Sequence, residues 1–273
     1  MLEPEVGVGY RKRMERYRGI RNIPAEEYIR MVKDIFSTVT SRYDFLTHLL
    51  SLWRDISWRR FAAKKIRQGE TCRLLDVGTG TADLAIEMAL RNPRCSVAAM
   101  DFMAEMMELG AGKIKKKGLL GRVSLVRGDA LDMPFPSGTF DAASIAFGIR
   151  NIPDKNKALR EMGRVVAPGG RVLVLEMTRP APGFFGRLYA LYLKRILPQA
   201  ARVFSSNHAA YRYLADSIFN FPDPSDFSDM MRRAGFSSVE SYSLTFGITH
   251  LFVGSIQAQS ARPKVQRTVS SMQ

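Results

Sequence analysis

With 273 residues and 46% hydrophobic side chains, the chain is long enough to bury a sizeable core, as one large domain or a domain with an insertion. Two cysteines are too few for a disulfide framework, and three scattered histidines show no metal spacing, so the composition points to a reducing compartment and no metal. A formal net charge of +15 favours an anionic partner, while no stretch approaches the ~20 apolar residues of a membrane span and no apolar signal segment opens the chain.

Residues 1–25 form a polar, basic leader, and 26–67 are expected to be helical, with Tyr43, Asp44, Trp53 and Trp58 in an aromatic and basic run. These four either wall a pocket or belong to plain core. Strands and helices then alternate with the spacing of βαβ units: strands at 72–77, 96–101, 123–127, 140–147 and 171–177, helices at 82–91, 103–116 and 155–166. Pro168-Gly169-Gly170 is expected to stop the last of these helices and start the fifth strand. Residues 179–222 break the rhythm with a very apolar segment from Phe184 to Leu197, read either as an internal helix pair or as a lid that touches a bilayer. The pattern resumes with a helix near 225–234 and closing strands at 238–245 and 249–256, and 257–273 are expected to be disordered. The expected fold is a doubly wound α/β sheet in one domain over 26–256, its ligand crevice at the strands' C-terminal ends.

The chemistry concentrates in Leu74-Leu75-Asp76-Val77-Gly78-Thr79-Gly80-Thr81-Ala82-Asp83 and in Asp101. An apolar strand ends in a carboxylate, turns through two glycines and restarts as a helix. Gly78 and Gly80 let a ligand approach bare backbone. Asp101 closes the next strand, where a carboxylate can hold two ribose hydroxyls. The pattern is not the dinucleotide fingerprint, because Asp83 stands where that motif needs glycine. A carboxylate in the first helical turn repels a pyrophosphate. A nucleoside without phosphate avoids that conflict, and S-adenosylmethionine, whose sulfonium is positive, is such a ligand.

These residues, with Ala146-Phe147-Gly148-Ile149-Arg150-Asn151-Ile152-Pro153-Asp154 and Tyr211-Arg212-Tyr213-Leu214-Ala215-Asp216-Ser217, resemble class I S-adenosylmethionine-dependent methyltransferases. The narrower resemblance is to the C-methyltransferases of menaquinone and ubiquinone biosynthesis, over about Val32 to Ser255. It implies a seven-stranded Rossmann-like sheet with an antiparallel last strand. Two departures are Ala82, where a third glycine is usual, and Ala146, where many relatives have serine. The resemblance implies S-adenosylmethionine held by Asp76, Gly78, Gly80, Thr81, Asp101, Asp129 and Ala130, with Asp129 on the adenine amino group or, alternatively, capping a helix. Thr81 is expected to cap the helix start or bond the cofactor.

The implied reaction is methyl transfer to a ring carbon of a prenylated quinol, either the naphthoquinol demethylmenaquinol or a benzoquinol. Arg150 is the candidate stabiliser of the phenolate oxygen, with Asn151 as its orienting partner; the competing role for Arg150 is an ion pair with Asp154. Tyr211, Tyr213 and His208 are candidates to line the pocket or relay a proton. The positive charge and the apolar segment suit a cytoplasmic protein peripherally bound to an anionic membrane, and a homo-oligomer is compatible with the sequence. An RNA substrate is disfavoured because the charge is scattered and no base-directed motif follows the fourth strand. A methyltransferase for another small molecule or lipid is the remaining alternative.

Overall fold

The computed structural model describes residues 24–39, 43–66, 72–179, 183–196 and 208–258. Three helices come first: α1 (Ala25–Val39), α2 (Tyr43–Ser51) and α3 (Asp55–Lys64). Then follow β1 (Cys72–Val77), α4 (Asp83–Arg91), β2 (Cys95–Asp101), α5 (Ala104–Lys116), β3 (Val123–Arg127) and β4 (Phe140–Ala146). A 3-10 turn at Ile149–Asn151 leads to α6 (Lys155–Val165) and β5 (Val166–Met177). After α7 (Phe184–Leu191), a π-helical turn at Tyr192–Ile196 and α8 (His208–Phe219), the chain closes with α9 (Pro224–Arg233), β6 (Ser238–Leu244) and β7 (Thr249–Ser255).

The seven strands make one sheet in the order β3-β2-β1-β4-β5-β7-β6. β7 runs antiparallel to both β5 and β6, and β1 to β5 are parallel where paired. The seven-stranded α/β expectation therefore holds. Strand order reverses between β1 and β4, and a crevice opens at such a switch point, outside the C-terminal strand ends.

Alternation along the strands builds two apolar layers. Leu173 and Leu175 of β5 face one layer with Leu251 and Val253 of β7, where α1, α3, α4, α7 and α8 pack. Val172, Val174 and Phe252 face the other, with Leu159 and Met162 of α6 and Phe227 and Met231 of α9. Phe227 stacks between Phe221 and Phe252 at centroid distances of 5.0 and 4.8 Å. Each fully buried side chain of this kind contributes roughly 1.5–3 kcal/mol.

Local chemistry sets the ends. Asp154 accepts the Lys157 backbone N–H at 2.9 Å and caps α6, and Pro224 opens α9, where its missing N–H costs nothing. Two expectations need correction. β5 begins at Val166, directly after α6, and Pro168-Gly169-Gly170 lie within it as an irregularity: pairing jumps from Phe140↔Val166 to Ala142↔Arg171. Cys72 and Cys95 are not free thiols but a disulfide. They are register partners on β1 and β2 with Cα atoms 4.5 Å apart, a proximity made by the βαβ crossover and invisible in their spacing. Cysteine usage therefore gives no support to a reducing compartment.

Candidate active site

A cleft of about 420 Å³ lies at the switch point, within the range of small-molecule sites. The C-terminal ends of β1, β2, β3 and β4 supply Gly78, Gly80, Asp101, Gly128, Asp129, Ala130 and Ala146, and α1 adds Ile29, Val32 and Lys33. Gly78 and Gly80 have φ of +59° and +55°, a left-handed backbone that only glycine adopts without strain. Gly128 is forced by space: a Cβ there would meet Met100 Sδ at 2.6 Å.

Asp101 closes β2 with its carboxylate turned back on the turn. One oxygen accepts the Gly80 N–H at 2.7 Å and the other accepts the Met103 N–H at 2.9 Å. Burial pushes its pKa up, opposed by these backbone donors. Each carboxylate oxygen has a second lone pair, so the group can still accept from a ligand's hydroxyls at the cleft. Asp129 also lines the cleft; one of its oxygens accepts the Leu131 N–H at 2.9 Å, an Asx turn rather than a helix cap.

Asp76 and Thr81 sit elsewhere. Asp76 is buried behind the turn and accepts hydroxyls from Thr79 at 2.7 Å and Ser144 at 2.8 Å. Desolvation raises its pKa from the ordinary 3.8 to about 6 against those bonds and the field of Arg59. It braces the turn and is not in the cleft wall. Thr81 caps nothing; its hydroxyl donates to Asp44 at 2.6 Å and accepts from Lys113 at 2.9 Å, while Ala82 takes the N-cap position in a left-handed conformation. Asp83 pairs with Lys113, which also reaches Asp44. Asp44 and Trp58 therefore support the turn and the core rather than the cleft; Trp53 is exposed, and the side chain of Tyr43 lies outside the described residues.

The far wall carries Phe147, Gly148, Asn151, Ile152 and Pro153. Phe147 is in the left-handed region at φ +56°, held by its N–H on Leu175 O at 2.8 Å, with its ring against Trp58. A bulky residue there costs of order 1–3 kcal/mol and is retained where its placement matters.

Arg150 points away from the cleft. Its guanidinium pairs with the fully buried carboxylate of Glu176, which also accepts the Arg150 and Met177 backbone N–H groups. Asp154 is not its partner, because that carboxylate caps α6. Removing one member of such a buried pair leaves an uncompensated charge and typically costs about 3–5 kcal/mol.

Asn151 does reach the cleft wall, and Tyr213 of α8 donates its hydroxyl to Asn151 Oδ1 at 2.9 Å. The Tyr213 hydroxyl lies 3.0 Å from that of Tyr28 on α1. Burial drives the Tyr213 pKa well above its ordinary value, so the phenol remains a donor at neutral pH. Of the tyrosines expected from the sequence, Tyr213 enters this network, whereas the side chains of Tyr211 and His208 lie outside the described residues. Sequence reasoning missed Tyr28 and Glu176. Glu176 was detectable, as an acid ending the apolar run Val172-Leu173-Val174-Leu175, in the manner of Asp76 and Asp101.

The model of the ubiE/COQ5 methyltransferase family matches residues 24–255. The chain is 42% identical over 224 residues to the ubiquinone/menaquinone biosynthesis C-methyltransferase UbiE of Geotalea daltonii, covering 82% of this chain and 95% of the relative. It is 44% identical over 220 residues to the demethylmenaquinone methyltransferase of Thermus thermophilus, covering 81% of this chain and 99% of that protein. Among solved structures, a putative methyltransferase from Haloferax volcanii in complex with the Trm112 activator superimposes with a TM-score of 0.59 at 16% identity, covering 81% of this chain and 97% of that one. That last likeness concerns the fold alone.

Proposed function

This chain belongs to the ubiE/COQ5 methyltransferase family, and on that premise we propose that it methylates a ring carbon of a prenylated quinol in menaquinone or ubiquinone biosynthesis, with S-adenosylmethionine as donor. The observation that carries the reading is the juxtaposition, in one cleft, of a nucleoside-binding wall and an amide-bearing wall. Gly78, Gly80, Asp101, Asp129 and Ala130 form the first and Asn151 stands on the second.

The residues fit the cofactor. Asp101 suits the ribose hydroxyls, the Gly78–Gly80 backbone leaves room for the methionine portion, and Asp129 with Ala130 suits the adenine edge. Lys33 is a cation for the methionine carboxylate. Bound there, S-adenosylmethionine supplies an electrophilic methyl group on a sulfonium.

The protein's remaining task is to make the ring carbon nucleophilic and hold it in line. A ring carbon gains nucleophilicity when a phenolic hydroxyl ionises, and lowering a phenol from about 10 to about 7 requires about 4 kcal/mol. A hydrogen bond to the charged oxygen contributes roughly 1.5–3 kcal/mol. We assign that donor to the Asn151 amide, whose oxygen is occupied by Tyr213 and whose nitrogen is thereby set toward substrate. The N-terminal end of α6, which follows the cleft residues Ile152 and Pro153, adds up to about 1 kcal/mol. Arg150 is a positioning residue in this reading, holding the Ile149–Asn151 turn through Glu176. Tyr211 remains a proposed pocket residue.

The insertion over 179–222 is proposed to cover the prenyl tail, within a single methyltransferase domain over 26–256. A tail of that kind dissolves in a bilayer. The net charge of +15 supports peripheral association with an anionic surface, and the cytoplasmic leaflet carries that sign.

Incubating the chain with S-adenosylmethionine and a short-tailed demethylnaphthoquinol, kept reduced or fully oxidised, tests the reading. Ring methylation is expected from the quinol alone, because the quinone has no hydroxyl to ionise. Equal transfer to both forms would remove the phenolate from the mechanism.

A further inference from the structure

Three surface segments combine apolar exposure with backbone strain. α7 is apolar nearly all round: Tyr189 is buried inward, with Leu193 of the following π-turn, while Phe184, Phe185, Leu188 and Leu191 face solvent, Phe184 at 76% exposure. In the β6–β7 turn, Phe246 is 70% exposed, and in the α2–α3 turn Leu52 and Trp53 are 55% and 53% exposed.

The segments form one face. The Phe185 and Phe246 rings stack at 4.5 Å. Trp58 of α3 donates to Thr245 Oγ1 at 2.9 Å, and Tyr192, just after α7, donates to the Leu49 carbonyl at 2.7 Å.

The backbone reports a cost. Six described residues other than glycine have positive φ, and four of them, Leu52, Trp53, Thr245 and Phe246, lie on this face. The other two, Ala82 and Phe147, belong to the turn and wall of the cleft. Strain of this kind persists where surrounding structure enforces it and clusters at functional positions. Here it holds Trp53 and Phe246 outward, where water is the only described neighbour to gain.

Charge selects the partner. Residues 52–54, 183–196 and 245–248 contain no Asp or Glu, while Arg54, Arg187 and Arg195 are exposed among the apolar side chains. No helix among the described residues is long and apolar enough to cross a membrane. Apolar side chains rimmed by arginine, on a face that does not span, suit the interfacial zone of an anionic bilayer.

We infer that α7, the β6–β7 turn and the α2–α3 turn form a docking surface for an anionic lipid bilayer, with Phe184, Phe185, Phe246 and Trp53 entering the interface. The inference rests on the proposed prenylated substrate, because it brings the cleft to the phase that dissolves the tail. Phe147 of the cleft wall touches Trp58, and Trp58 bonds Thr245 of the surface, so docking and cleft share one run of contacts.

The test uses the full chain and vesicles of phosphatidylcholine with or without phosphatidylglycerol. Trp53 is the exposed one of only two tryptophans, Trp58 being buried, so its emission reports docking. The expected result is a blue shift with anionic vesicles, abolished in Trp53→Phe. A Phe184→Ser/Phe185→Ser/Phe246→Ser variant is expected to bind those vesicles at least about tenfold more weakly, while keeping its affinity for S-adenosylmethionine. Phe184→Ser alone, at the most exposed of these positions, gives a smaller loss in the same direction should the triple variant fold poorly. Vesicle binding unchanged by both variants would overturn the inference. So would a dimer that the variants split while leaving vesicle binding intact, which would assign the face to a second copy. Loss of binding in a chain that methylates no quinol would sustain the surface and refute the substrate reading; quinol methylation with unchanged vesicle binding would do the reverse.

Discussion

Tyr213 donates its hydroxyl to Asn151 Oδ1 across 2.9 Å, although 62 residues separate them in the chain. This bond joins α8, within the segment that interrupts the βαβ rhythm, to the turn after β4. It makes the orientation of one cleft amide depend on a helix that β-strand periodicity does not reveal.

If Asn151 donates to the phenolate, Asn151→Ala lowers kcat by about 10²-fold, the usual effect of removing one oxyanion donor. Tyr213→Phe lowers kcat less, by roughly tenfold, and leaves the affinity for S-adenosylmethionine unchanged. The double variant is no worse than Asn151→Ala, because the two act as a unit. Steady-state kinetics with a short-tailed quinol checks this; additive losses would separate the two residues.

Asp101→Ala weakens S-adenosylmethionine binding at least tenfold, since a hydrogen bond to a charged group contributes roughly 1.5–3 kcal/mol. Asp101 also holds the Gly80 and Met103 N–H groups, so the loss combines ligand contact with a looser turn. Calorimetric titration measures it directly, and unchanged affinity would take Asp101 out of the site.

The buried Asp76 carboxyl gives a pH signature. Its pKa is about 6 in the folded protein against an ordinary 3.8, so between those values the folded state retains a proton that the unfolded state has lost. Stability therefore falls as pH rises through that window, by up to about 3 kcal/mol, and is flat above it. Asp76→Asn carries no charge and lacks this slope. Denaturant unfolding of both proteins from about pH 4 to 7 is expected to show the wild type losing ground to the variant across the window; parallel curves would mean that Asp76 titrates normally.

The Cys72–Cys95 disulfide encloses the Gly78–Asp83 turn in a loop of 23 residues' separation. The protein as purified is expected to show no free thiol on denaturation without reductant, and two after reduction. Reduction costs about 3 kcal/mol of stability for a loop of this length. Two reactive thiols in the untreated protein would contradict the pairing.

The sequence was most informative where an element's own residues decide its state. The strand 72–77, the glycine turn and the carboxylate at Asp101 follow from apolar runs and local turn chemistry, and they appear where expected. What escaped depends on residues brought together by topology. Arg150 looked like a cleft cation because it follows β4, yet Glu176 on the neighbouring strand β5 draws it into the core. Thr81 looked like a cap, and Asp44, 37 residues earlier, claims its hydroxyl. The cysteines illustrate the same limit, since register between β1 and β2 pairs them. Even the start of β5 was hidden, because Pro168-Gly169-Gly170 is a turn signal that here forms an irregularity inside a strand.

The central claim is tested most directly by transfer of a labelled methyl group from S-adenosylmethionine to short-tailed demethylmenaquinol, run beside the corresponding benzoquinol and total RNA. The account predicts label on a ring carbon of the quinol, with the ratio between the two rings defining the preferred substrate, and none in RNA. Label in RNA alone would contradict it, and would make the net positive charge, rather than the Asn151 wall of the cleft, the feature that identifies the substrate.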